Sequence, residues 1–455
     1  MSGRLSIVLH THMPYVEGFD TWPFGEEWLW EAIATSYLPV LEVLEDTGAP
    51  ITLSLTPVLC DQLAAPGAKE RCLTFLRELR PESHRIDLAE QPAELHPALE
   101  RSAADYARAA ERLEDIDLLE AFGPYAAWTS SATHAVLPLT ATDAGARLQI
   151  VTGVESHRRR FGAGWRGGFW LPECGHATWL DHLLEDAGAR ATCVDLTDVF
   201  GYGSRKHLTP LRTEAGITLV PIDRQTIELV WSDQGYPADG AYRDYHHRTR
   251  MDHRPHAVDG TPYDAERAQA LAHEHAVDFV ARALVRSNEV DDALVVCALD
   301  TELLGHWWYE GPQWLRAVVE ECGRQGLDLV ALDDAIEAIE PAPAPELPTT
   351  TWGSPRDLTT WDGPGVEDFA WRARRAELDL LRAGRDATPR AVRELLALQS
   401  SDWAFLVHRD LAAAYGHARA EEHREGLARE LSSLGSQEAP LRNLAPFATV
   451  APLLT

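Results

Sequence analysis

Seven short, almost wholly apolar runs punctuate the first three quarters of the chain: Leu5–Leu9, Ile51–Leu55, Trp128–Ala132, Gly168–Leu171, Ala191–Val194, Ile217–Ile222 and Leu294–Leu299. A strand with one wet face alternates apolar and polar residues. These runs do not, so they read as strands buried on both faces of a parallel sheet. Helix-like segments follow most of them, among them Trp179–Ala187 and Gln313–Arg324. Trp28–Leu44 is another, with an apolar stripe of Leu29, Ile33, Tyr37, Leu41 and Leu44. Strand–helix alternation at this number of repeats predicts an α/β barrel. The stretch from Ala68 to Leu119 has no convincing strand and predicts a helical insertion after the second strand, over about residues 65–122.

The texture changes near Pro341. Pro341, Pro343, Pro345 and Pro348 make a stiff, extended connector. Beyond it, Val366–Ala383, Pro389–Leu398 and Asp402–Ser432 are helix-like and rich in Arg and Glu. The expected organisation is a catalytic barrel over residues 1–340, a connector over 341–350 and an all-helical domain over 351–455.

Composition excludes several function classes. The 455 residues carry 41 Lys+Arg against 71 Asp+Glu, a formal net charge of −30. A surface of that sign repels phosphate backbones, so no nucleic-acid partner is expected. The stretch from Met1 to His12 holds a five-residue apolar run, too short for a signal peptide, and nothing approaches the ~20 apolar residues of a membrane span. The six cysteines form no Cys-x-x-Cys pair, which predicts reduced, buried thiols in a cytoplasmic protein. Lys69 and Lys206 are the only lysines, which disfavours Schiff-base chemistry. Nothing here sets an oligomeric state.

In parallel barrels the chemistry sits where strands end at their C-terminal side. The runs above end in His10-Thr11-His12, Thr133-His134, Glu173, Asp223-Arg224 and Asp300-Thr301-Glu302. One acid at a strand end is commonly only a helix cap. Here Glu173 and Asp300 end two different strands, each embedded in tryptophan-rich sequence. Indole rings stack on the apolar face of a sugar and dry the site. Two carboxylates across a glycosidic bond, one ionised and one protonated, are the machinery of glycoside cleavage.

His10-x-His12 also allows a metal reading, with His134 and Asp300 as further ligands. Such a site needs a later histidine pair, often with a modified lysine, and neither lysine lies on a strand. Hydrogen bonding to sugar hydroxyls is the expected role of these histidines, with neither metal nor cofactor. Trp128, Trp170 and Trp179 read as core or half-core, whereas Trp231, Trp352, Trp361 and Trp403 lie beside Gly, Pro, Ser or Asp and are candidates for a stacking surface.

Taken together, the motifs resemble glycoside hydrolase family 57, most closely its α-1,4-glucan branching group. The resemblance is carried by His10-Thr-His-Met-Pro-Tyr-Val16, Glu27-Trp-Leu-Trp-Glu-Ala32 with Tyr37-Leu-Pro39, and Ser131-Ala-Thr-His134. It continues through Trp170-Leu-Pro-Glu-Cys174 and the run from Asp300 to Gly311, which includes His306-Trp307-Trp308. Val230-Trp-Ser232, Gly235-Tyr-Pro237, Tyr242-Arg243, Thr351-Trp-Gly353, Trp361 and Gln399-Ser-Ser-Asp-Trp403 are similar to the branching group.

The resemblance implies an incomplete (β/α)7 barrel with a helical insertion, and a C-terminal helical domain closing the cleft. It implies a metal-free retaining mechanism on α-1,4-glucan, with Glu173 as nucleophile, Asp300 as acid/base and carboxyl groups ~5–5.5 Å apart. Substrate contacts are expected from His10, His12, His134, Arg224, Trp231, Trp307, Trp352, Trp361, Asp402 and Trp403. One segment departs from the pattern. Asp195 to Pro210 is short where branching members carry a longer lid with a covering tyrosine, and Tyr202 is the only tyrosine there. Hydrolysis or 4-α-glucanotransfer is therefore the alternative to branching. A non-catalytic glucan-binding relative or a metal-dependent hydrolase is a more distant one.

Overall fold

The computed structural model describes residues 3–18, 25–432 and 441–454. Residues 1–2 and 19–24 of the expected barrel unit, and residues 433–440 and 455 of the expected helical unit, lie outside that range.

Each of the seven apolar runs forms a strand: β1 (Arg4–Thr11), β2 (Thr52–Leu55), β3 (Ala126–Ser130), β4 (Phe169–Trp170), β5 (Ala191–Val194), β6 (Thr218–Pro221) and β7 (Leu294–Asp300). The order β4-β3-β2-β1-β7 is parallel throughout. β5 pairs in parallel with β6 and joins β4 through a parallel bridge, Gly168↔Ala191. Between β6 and β7 there is no ladder; a backbone bond from Asp223 N to the Val296 carbonyl (2.8 Å) spans the gap. The result is the α/β barrel expected from the apolar runs, in the incomplete (β/α)7 form that the family resemblance implies. Leu5, Ile7, Leu9, Leu53, Val295 and Leu299 on one face of the strands, and Ser6, Val8 and Val296 on the other, are fully excluded from water, as two-faced burial of the strands requires.

The stretch expected to be a helical insertion folds without a strand, as helices Ala68–Thr74, Arg80–Glu90, His96–Asp115 and Leu118–Phe122. The helix-like segment after β1 is α-helical over Glu26–Ala32 and Leu38–Thr47, but its middle, Ile33–Tyr37, winds as a π-helix. The proline-rich connector is extended and docked: Ala342–Pro343 pairs with Leu211–Arg212 at the edge of the β5–β6 sheet.

Beyond the connector, helices Glu367–Ala383, Pro389–Leu398, Ser401–His408 and Ala413–Leu431 pack around Leu380, Leu395, Leu396, Trp403 and Leu427. The expected single helix from Asp402 is broken at residues 409–412, where Asp410 takes a left-handed φ of 51°. That bundle seals onto the barrel. Thr133 and Gln149 bond to the Leu396 carbonyl, Glu377 accepts from Thr142 Oγ1 at 2.6 Å, and Asp61 accepts from the Ala445 amide at 2.6 Å. The bundle thereby brings residues 399–403 to the C-terminal rim of the strands.

Candidate active site

Strand register builds the floor of the site. His10 on β1 lies opposite Ser54 on β2 and Asp300 on β7, so the three share one face. The His10 ring stacks on Trp170 of β4, 4.7 Å between centroids. Three residues beyond Trp170, the chain turns sharply and presents Glu173.

That turn is strained. Glu173 and Cys174 hold left-handed φ values of 60° and 51°, and His134 does the same at 58°. Each costs a non-glycine residue about 1–2 kcal/mol. The surroundings impose it: the Trp352 amide donates to the Glu173 carbonyl (2.9 Å), the Ser401 amide to the His134 carbonyl (3.1 Å). Strained residues held by such bonds cluster at functional sites.

The two carboxyl groups sit in different surroundings. Glu173 accepts from Trp352 Nε1 (3.0 Å) at Oε2 and from Ser401 Oγ (3.4 Å) at Oε1, with His134 Nδ1 3.8 Å away. Burial pushes its pKa up to about 7, against the pull of the Trp352 bond and the His12 charge. Asp300 receives no such bond among the described residues. Burial, then the charges of Glu302 and Glu173, raise it well above the usual carboxylate range. Donors favour the ionised form and their absence the protonated one, so Glu173 ionises before Asp300.

Three histidines back the pair, and all six of their ring nitrogens are engaged. His10 meets Ser54 (3.3 Å) and His134 (2.9 Å); His134 also meets Ser401 Oγ (2.9 Å); His12 meets Thr56 (3.2 Å) and Asp402 (3.0 Å). Burial followed by the His12 charge holds His10 and, with His10, His134 well below the usual range. Burial also opposes charge on His12, but Asp402, Glu302 and Glu173 outweigh it and raise that ring.

His12, His134 and Asp402 place one donor atom each within 4.8 Å of one another. The two rings stack at 3.8 Å and 15°, which runs their in-plane lone pairs side by side instead of toward one point. That geometry fits a hydrogen-bond chain better than a coordination sphere.

Several expected substrate contacts are placed differently. His10 and His134, 1% and 3% exposed, face each other Nε2 to Nε2. Trp361, 2% exposed, and Trp403, 0% exposed, belong to the core of the helical bundle. The polar neighbours that suggested loops in fact flank short helices, Thr359–Asp362 and Ser401–His408, whose inner faces need bulky residues. Arg224 is a brace: it pairs with Asp195 at 2.6 Å and donates to the Trp352 carbonyl. Trp179, read as core or half-core, is on the surface at 38% exposure.

Others are where stacking requires them. Trp231 is 38% exposed and meets half-buried Trp307 edge to face at 5.5 Å. Asp402 accepts from Ser400 Oγ (2.6 Å) as well as facing His12. A cavity of about 790 Å³ opens from the Asp300 loop at Leu303, Gly305, His306 and Trp307. It continues past Trp231, Trp28, Arg80, Tyr106 and Arg243 to Leu406 and Leu411 of the bundle. Ser401, Tyr37 and Glu302 were not anticipated, although Ser401 and Glu302 lie beside Asp402 and Asp300.

The sequence matches the family described as glycosyl hydrolase family 57 over residues 106–348, and "1,4-alpha-glucan branching enzyme, C-terminal" over residues 372–452. It is 31% identical to a 1,4-alpha-glucan branching enzyme of Thermococcus kodakarensis, over 93% of this chain and 72% of that one. It is 33% identical to a Mycobacterium tuberculosis protein named "Probable 1,4-alpha-glucan branching enzyme", over 92% and 90%. The crystal structure of a GH57-type branching enzyme from Pyrococcus horikoshii superposes with a TM-score of 0.90 at 30% identity, covering 100% of this chain and 97% of that one.

Proposed function

This chain belongs to glycosyl hydrolase family 57, and on that premise we propose that it is a 1,4-alpha-glucan branching enzyme acting by retaining double displacement. The observation that carries the mechanism is the asymmetry of its two carboxyl groups: Glu173 accepts from Trp352 and Ser401, while Asp300 has no donor among the described residues.

Glu173 attacks the anomeric carbon of an α-1,4 linkage as Asp300 passes its proton to the departing glycosidic oxygen. The glucan is then an ester on Glu173. Asp300, now a carboxylate, takes the proton from the 6-hydroxyl of a second glucan chain. That oxygen displaces Glu173 and leaves an α-1,6 branch of retained configuration. Trp231, Trp307 and Trp352 supply aromatic surface for sugar rings, and Asp402 with His12 sets the charge beside the nucleophile. The catalytic unit spans residues 1–340, with residues 351–455 closing the cleft. A cytoplasmic setting agrees with six free, buried cysteines. No helix among the described residues is long and apolar enough to cross a membrane.

Hydrolysis or 4-α-glucanotransfer is the second reading, and Tyr202 is what favours it. The segment after β5 folds into two short turns, Thr197–Phe200 and Arg205–Leu208, with Tyr202 between them 57% exposed. A lid this open leaves water free to compete with the acceptor sugar.

Incubation with amylose followed by proton NMR decides between them. Branching gives new α-1,6 anomeric signals; rising reducing ends without those signals would mean hydrolysis. Glu173→Gln should abolish both, and surviving activity would overturn the nucleophile assignment.

A further inference from the structure

Besides Glu173, Asp300 and Asp402, a fourth carboxyl group lies at the site, and the mechanism above gives it no task. Glu302 is buried at the first turn after β7, two residues beyond Asp300. Its Oε1 accepts from Tyr37 OH at 2.6 Å and from the His12 amide at 3.1 Å. These donors arrive from two other elements, so the carboxylate is seated from outside its own loop.

The seat depends on the π-helix. Residues 35, 36 and 37 would point in three directions on an α-helix, about 100° apart. Within Ile33–Tyr37 the wider winding lets all three reach the Asp300 loop. Thr35 Oγ1 meets His306 Nδ1 (3.4 Å), Ser36 Oγ donates to the Thr301 carbonyl (2.9 Å), and Tyr37 donates to Glu302. Gly305 presses so closely on this segment that a Cβ there would lie 1.8 Å from the Thr35 carbonyl oxygen. Single π-turns of this kind recur at functional sites.

We propose that Glu302 is a positioning residue for the acid/base step: fixed by Tyr37 and His12, its carboxylate keeps the catalytic proton on Asp300 until the leaving chain takes it. The inference rests on the reading of Asp300 as acid/base. A like charge held close disfavours a second ionisation, and the groups whose charges raise Asp300 are Glu302 and Glu173. Glu302 itself is pushed up to about 7 by burial, against the pull of Tyr37 and of the His12 ring and amide. No proton passes through Glu302; the proton delivered to the glycosidic oxygen is Asp300's.

The test compares pH profiles of kcat/KM on amylose for the full chain and three variants. Glu302→Gln removes the charge and keeps the shape. Its basic limb should move to lower pH by roughly one unit, a tenfold loss at the alkaline end, with activity near wild type at the acid end. Tyr37→Phe keeps the ring packing and should move the limb the same way by less. A structural role alone would lower activity at every pH without moving the limb. An unmoved limb in both variants, with Asp300→Asn inactive, would overturn the proposal. An active Asp300→Asn enzyme would overturn the reading of Asp300, and this inference with it.

Discussion

Trp352 holds Glu173 at two points: its indole Nε1 donates to Oε2 at 3.0 Å, and its backbone N–H donates to the Glu173 carbonyl at 2.9 Å. The side-chain bond opposes the burial that otherwise keeps Glu173 protonated. The backbone bond pins a left-handed residue in a turn that would relax without it. Trp352 is in turn fixed by Arg224 at its carbonyl and by an edge-to-face contact with Trp170 at 5.1 Å. The segment after the proline connector therefore sets both the direction and the ionisation of the Glu173 carboxyl group.

Trp352→Phe keeps most of the aromatic surface and removes the indole donor. A hydrogen bond to a charged group contributes about 1.5–3 kcal/mol, which corresponds to one to two pH units in the group it ionises. Loss of that donor raises the Glu173 pKa, and in the proposed mechanism Glu173 attacks as the carboxylate. The acid limb of kcat/KM should move to higher pH by about one unit. A limb that stays in place while KM rises would make Trp352 a stacking platform only.

Arg224 carries a structural load that its place at a strand end concealed. It pairs with Asp195, whose side chain is fully buried, while also holding the Trp352 carbonyl. Arg224→Ala leaves the Asp195 charge buried without its partner, which costs about 3–5 kcal/mol. The urea midpoint should fall steeply. Arg224→Lys should recover only part of the loss, because a single ammonium cannot fork to both acceptors. An unchanged midpoint for the alanine variant would show that Asp195 is satisfied by Thr197 alone.

The barrel was legible because runs apolar on both faces, spaced by helix-like segments, read as inner strands. That two acids, Glu173 and Asp300, follow such strands was legible for the same reason; that they act together is the proposal above. Trp361 and Trp403 were misjudged because Gly, Pro, Ser and Asp flank helices as readily as loops. The His10–His134 contact was not legible, because an imidazole at a strand end gives no sign of which ring it will meet. The π-turn at Ile33–Tyr37 left no mark either: its residues satisfy an ordinary helical stripe, and only contact with the Asp300 loop distinguishes them. Ser401 reaches Glu173 through the packing of a separate bundle, a distance of 228 residues in sequence that no short motif encodes.

Among the described residues, Trp231 is the most exposed of the indoles lining the cavity, with Trp307 set edge-on to it. It touches neither carboxylate among the described residues, so as the proposed stacking platform it should stabilise ground state and transition state alike. Trp231→Ala should raise KM for amylose by about tenfold, equivalent to ~1.4 kcal/mol, and leave kcat within about twofold. Equal loss in kcat and kcat/KM would place Trp231 at the reacting sugar instead.

Glu173 also ties stability to pH. Its folded pKa of about 7 lies above the ordinary 4.5, so the folded state binds this proton more tightly than the unfolded chain does. Below about pH 4.5 the carboxyl is protonated in both states and contributes no penalty. As pH rises from there to about 7, the unfolded chain ionises freely while the folded site resists, and stability falls. Above 7 the penalty is constant. The shift corresponds to at most ~3 kcal/mol, somewhat less because the side chain retains 16% exposure. Glu173→Gln removes the titration while an amide oxygen can still accept from Trp352. The inactive variant should therefore be more resistant to urea than wild type at pH 8, with the two midpoints converging at pH 4.5. Midpoints that differ equally at both pH values would mean that Glu173 meets no burial penalty and that the raised pKa is wrong.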